Sequence, residues 1–133
     1  MENLPGGGDE HILYVDDEEN LAILGQEFLE DMGYKVTSMS SSVAALEAFR
    51  KEPDKFDLVV TDQTMPHMSG IEMAAEMAKI SPETPVILCS GFRMNLDAPG
   101  IAETSIREVL IKPEVFDLLP LVLRRLLDKT PRE

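Results

Sequence analysis

Cysteine is nearly missing from this chain. Cys89 is the single one, so no internal disulfide and no cysteine-rich metal site can form, which agrees with a reducing compartment. Its place in Val86-Ile87-Leu88-Cys89 marks it as a buried strand thiol and not a redox centre. Basic residues are also scarce: 12 Lys and Arg face 25 Asp and Glu, for a formal charge of −13. That balance repels phosphate backbones and makes direct nucleic-acid binding unexpected, while it suits a divalent cation or a basic partner. Long apolar runs are absent too. Nothing approaches the ~20 residues of a membrane span, and the N-terminus lacks a basic, apolar signal pattern, so the expectation is a cytoplasmic protein without membrane insertion.

What is present is the composition of a folded domain. Of 133 residues, 44% are hydrophobic and 28% charged, enough for one proper core but too short a chain for that core plus a separate output module. Residues 1–9, with Pro5-Gly6-Gly7-Gly8, read as a flexible leader or linker stub. The domain is expected over residues 10–129, followed by a short tail, 130–133.

Five apolar, β-branched runs read as strands: 11–15, 34–39, 58–62, 85–89 and 106–111. Helical spacing lies between them. Leu21, Leu24, Phe28, Leu29 and Met32 recur until Gly33 offers a C-terminal cap, and Ser41 or Ser42 can cap a helix carrying Val43, Ala45, Leu46 and Phe49. A third helix carries Ile71, Met73, Ala74, Ala75, Met77 and Ala78, with the methionines as core filler. The crossover through Pro99-Gly100 opposes regular helix, so a short or distorted one is expected there, and a last helix is expected over 117–129 with Pro120 in its first turn. Alternation of strand and helix predicts an α/β fold, a doubly wound five-stranded parallel sheet of order 2-1-3-4-5 with helices on both faces.

In that topology Asp16 and Asp17 end strand 1, Asp62 ends strand 3, Ser90 ends strand 4 and Lys112 ends strand 5, all at the carboxyl edge where such sheets bind ligands. Each has a bland alternative: a solvated helix start for the acids after strand 1, a turn former at Asp62, a loop hydroxyl at Ser90, an exposed lysine at Lys112. Together on one edge they point to chemistry. Converging carboxylates repel one another unless a cation neutralises them, and Mg²⁺ takes hard oxygen ligands of this kind. A carboxylate beside Mg²⁺ and an ammonium can attack a phosphoryl group, which makes Asp62 the candidate nucleophile, and the Ser90 hydroxyl can meet a phosphoryl oxygen. His67, in the loop beyond Asp62, reads as an exposed turn residue.

These residues resemble the receiver domain of two-component response regulators, a flavodoxin-like fold, over nearly the whole chain, residues 10–129. The motifs are Val15-Asp16-Asp17-Glu18, the run Thr61-Asp62-Gln63-Thr64-Met65-Pro66-His67-Met68-Ser69-Gly70, then Ser90 and Lys112-Pro113. The resemblance implies that Asp62 accepts a phosphoryl group from a histidine kinase or phosphotransfer protein, with Mg²⁺ held by Asp17, Asp62 and the Thr64 backbone carbonyl, and with Asp16 acting through a water or by orienting the site. Ser90 would then contact the phosphoryl group and Lys112 would pair with it. It implies a signalling domain, either free-standing or part of a longer protein such as a hybrid histidine kinase, whose downstream target is not named by the residues. Two features depart from the family's pattern. Val109 stands three residues before the lysine, where an aromatic is frequent, and the Pro99-Gly100 crossover interrupts a surface that often passes the signal on. The competing enzyme reading, a Mg²⁺-dependent phosphatase with an aspartyl phosphate intermediate, expects Asp-x-Asp after strand 1, whereas here the acids are adjacent.

Overall fold

Each of the five apolar runs forms a strand in the computed structural model, which describes residues 9–129; all but Asp9 of the proposed leader over 1–9, and the tail over 130–133, lie outside the described residues. The strands are β1 (His11–Val15), β2 (Lys35–Met39), β3 (Leu58–Asp62), β4 (Val86–Ser90) and β5 (Ile106–Ile111). They pair in parallel in the order β2-β1-β3-β4-β5. Four α-helices accompany them: α1 (Glu19–Asp31), α2 (Ser42–Lys51), α3 (Gly70–Ile80) and α4 (Val115–Lys129).

Period-two alternation divides the core between the two faces of the sheet. Leu13, Val15, Val59 and Leu88 point to α2 and α3, where they meet Phe49, Met73 and Met77. Ile12, Tyr14, Val60, Ile87 and Cys89 point the other way, toward Leu29 of α1 and Leu119 and Leu123 of α4. The doubly wound architecture follows from that alternation, and the methionines and Cys89 are buried core residues. Helix ends obey local chemistry. Ser41 accepts from the Ala44 amide, Gly33 takes a φ of 99° just past α1, and Ser69 with Glu72 forms a reciprocal capping box at the start of α3.

Three expectations need correction. Among the described residues, the fourth crossover contains no α-helix: it runs in turns, with Ala98 N–H donating to Asn95, and Ile101 and Ala102 donating to Ala98. Pro99 has no amide hydrogen, and Gly100 has a φ of 88°, so a continuous ladder cannot form. The last helix begins at Val115, two residues early, so Pro120 lies beyond the first turn and inside the helix. On α1 the buried positions are Ala22, Gly25 and Leu29, whereas Leu21 and Leu24 are 41% and 49% exposed. The helix turns its small residues inward because the Tyr14 ring occupies that space. A Cβ on Gly25 would lie 2.3 Å from Tyr14 Cζ.

Candidate functional site

β3 delivers Asp62 to the carboxyl edge at the end of a fully buried strand. Next to it, β1 gives way to Asp16 and Asp17, because the chain must leave the sheet there to enter α1. Asp16 is 6% exposed and Asp62 7%, while Asp17 opens to solvent. One carboxylate oxygen from each lies within 4.8 Å of the others. From β5, two strands away, the Lys112 ammonium reaches Asp62 Oδ1 at 2.7 Å. The Lys112–Pro113 peptide is cis.

The electrostatics follow from this crowding. Burial pushes the Asp16 carboxyl up, with further upward pressure from Asp62 and Asp17; the Glu18 amide, which donates to Asp16 Oδ1 at 3.0 Å, and Lys112 oppose it. Burial alone would lower the Lys112 ammonium, but the Asp62 hydrogen bond and the charges of Asp62 and Asp16 outweigh it and leave its pKa raised. Behind the site, burial pushes the Cys89 thiol up to about 12, keeping it protonated and inert. One ammonium faces three carboxylates. A hard divalent cation satisfies that excess, and the donors are all oxygen, so the residues fit Mg²⁺.

The loop beyond Asp62 is tied down by Gln63. Its amide donates to the Cys89 carbonyl, its own carbonyl accepts from Gly70, and its side-chain oxygen accepts from the Ile71 amide at 3.0 Å. Gly70 permits this closure, since a Cβ there would sit 2.4 Å from the Asp62 carbonyl oxygen. Thr64 is exposed on that loop, and His67 is exposed with a φ of 71°. Nothing in the residue pattern marks Gln63 as a clamp, because its role depends on where α3 starts.

Ser90 is placed differently from the acids and the lysine. It is 2% exposed, and its hydroxyl donates to the Phe92 carbonyl at 2.8 Å while accepting from the Phe92 amide at 3.2 Å. Its own loop holds that hydroxyl. The geometry thus brings Asp16, Asp17, Asp62 and Lys112 together, with Ser90 closed into a turn at the next strand end and Phe92 60% exposed.

Comparison with known proteins agrees with this arrangement. The family model described as the response regulator receiver domain matches residues 12–124. The response regulator receiver protein CpdR of Brucella abortus is 33% identical over 111 residues, covering 84% of this chain and 89% of CpdR. The transcriptional regulatory protein ZraR of Klebsiella oxytoca is 34% identical over 119 residues, 90% of this chain but only 26% of ZraR. Among solved structures, the response regulator TrrA of Thermotoga maritima in complex with Mg²⁺-BeF superposes with a TM-score of 0.78 at 30% identity, covering 89% of this chain and 99% of TrrA. TrrA has also been seen bound to the histidine kinase ThkA, where it matches with a TM-score of 0.77. Among the described residues no helix is long and apolar enough to cross a membrane. By sequence, topology and the convergence of three strand ends, the chain belongs to the response regulator receiver domain family of two-component phosphorelay signalling.

Proposed function

We propose that Asp62 is the phosphoacceptor of this receiver, charged by the phosphohistidine of a histidine kinase or phosphotransfer protein. The observation that carries the reading is the cluster itself: three carboxylates within 4.8 Å and a lysine 2.7 Å from one of them. The kinase complex of TrrA supports the class of donor.

An Asp62 carboxylate oxygen attacks phosphorus, the bond from phosphorus to the donor imidazole nitrogen breaks, and the electron pair returns to the imidazole. Mg²⁺, when bound, neutralises the carboxylates and the phosphoryl oxygens. Asp17, Asp62 and the Thr64 carbonyl are the groups that would hold it, with Asp16 orienting the site through a water. Lys112, already on Asp62 Oδ1, exchanges that carboxylate for a phosphoryl oxygen. The Ser90 hydroxyl leaves the Phe92 carbonyl to donate to another phosphoryl oxygen, and the loop after β4 follows it. The receiver thereby supplies much of the catalysis of its own phosphorylation and hydrolysis.

Phosphorylation adds about −1.5 to −2 charges, which shifts the equilibrium between loop arrangements only insofar as one of them binds that charge better. Ser90 and Lys112 provide the difference. Titration with Mg²⁺ and beryllofluoride, followed by ¹⁵N NMR, is expected to move amides at Asp62, Ser90, Phe92 and Lys112. Absence of any response in those segments would refute the reading.

A further inference from the structure

Below the acidic cluster, on the α1 and α4 side of the sheet, lies a cavity of about 290 Å³. Its floor is Tyr14, Val60 and Cys89, and its sides are Leu21 of α1 with Val115 and Phe116 at the start of α4. The Asp62–Lys112 pair forms the polar wall it shares with the site above. The cavity meets the phosphoacceptor site at Asp16, Asp62 and Lys112, while its apolar part, away from those groups, has no role in the proposed phosphoryl transfer.

Two features make it more than a packing gap. Tyr14 is 6% exposed and, among the described residues, its hydroxyl has no hydrogen-bond partner. In a cavity open to solvent, a ligand acceptor would compete with water for that donor. The ring fits beneath α1 because Gly25 has no side chain, and a Cβ there would lie 2.3 Å from Tyr14 Cζ. The cavity also has a definite size. Apolar cavities of roughly 150 Å³ hold benzene, so this one has room for one ring with a small substituent.

Charge narrows the chemistry further. An anion would meet Asp16 and Asp62, and Lys112 is committed to Asp62; a cation would shed its water among apolar walls. From the cavity, its apolar lining and the unpartnered Tyr14 hydroxyl, we infer that the receiver binds a small neutral aromatic molecule bearing one carbonyl acceptor, seated between α1 and α4 with its acceptor on Tyr14. Such a ligand lies directly under Lys112 and Asp62, where occupancy reaches the signalling site.

Acetophenone is a suitable probe, and cumene has its shape without the acceptor. In a ¹⁵N NMR titration of the full chain, saturable shifts are expected at Tyr14, Cys89 and Phe116, with acetophenone bound about tenfold more tightly than cumene. Tyr14→Phe is expected to keep the native spectrum and abolish that preference. Val115→Phe, which fills the cavity from the first turn of α4, is expected to lose both probes. No saturable shift with acetophenone, an unchanged preference in Tyr14→Phe, or shifts here only on adding a kinase domain would overturn the inference. Binding is read without phosphorylation, so its failure is distinct from failure of the phosphoacceptor reading.

Discussion

Asp16 shows how one residue can serve a site and burden the fold. Its carboxyl is raised by burial first and by Asp62 and Asp17 after that. A carboxyl with a higher pKa in the folded than in the unfolded state binds its proton more tightly when folded. Its ionised form therefore opposes folding in full above the raised value, and the penalty fades as pH falls from there to the unfolded value and is gone below it. Asp16→Asn keeps an oxygen for the Glu18 amide and removes the charge. In the absence of divalent cation it is expected to raise Tm by a few degrees at neutral pH and to have no such effect at a pH below the ordinary carboxylate range; thermal melts at both pH values check this. His67 is a second case. Its φ of 71° places a non-glycine side chain in the left-handed region, and since the side chain is exposed, His67→Gly is expected to stabilise the protein by about 0.5–1 kcal/mol in urea unfolding.

At the scale of elements, α3 is the best constrained. Gly70 lets its first turn approach the end of β3, with a would-be Cβ 2.4 Å from the Asp62 carbonyl oxygen and 2.8 Å from Leu88 Cδ1. Gly70→Ala must push α3 or β3 aside, and the expected cost is about 1–3 kcal/mol, read as a lower urea midpoint. The five strands and their order were legible in the sequence because β-branched runs and crossover lengths are local properties. The α1 face was not. Helical spacing locates an apolar stripe but not its partner, and at Gly25 the partner is an aromatic ring from β1. Pro120 misled for a similar reason, since Val115 and Phe116 were free to extend α4 backwards once they packed on the sheet. At the site, the residues at the strand ends could be read from topology, while the Lys112–Asp62 contact and the Ser90–Phe92 turn depend on side-chain conformations that no pattern encodes.

For the whole molecule, the input edge and the output surface are unequally built. The edge assembles residues from β1, β3, β4 and β5. The surface beyond it lacks a helix between β4 and β5 among the described residues, and Val109 packs half-buried against the α2 and α3 core where an aromatic switch would stand. On the proposed reading, conformational change then rests on the Ser90 turn. Ser90→Ala is expected to leave Asp62 phosphorylation intact while weakening the NMR response of residues 91–105; an unchanged response would remove Ser90 from the switch.

The proposed function depends on Asp62 taking the phosphoryl group. Incubation with acetyl phosphate, with and without Mg²⁺, followed by intact-mass and peptide mass spectrometry, tests this most directly. The expected result is a mass gain of one phosphoryl group that requires Mg²⁺, maps to Asp62 and is lost in Asp62→Asn. No Mg²⁺-dependent adduct, or one that persists undiminished in Asp62→Asn, would contradict it.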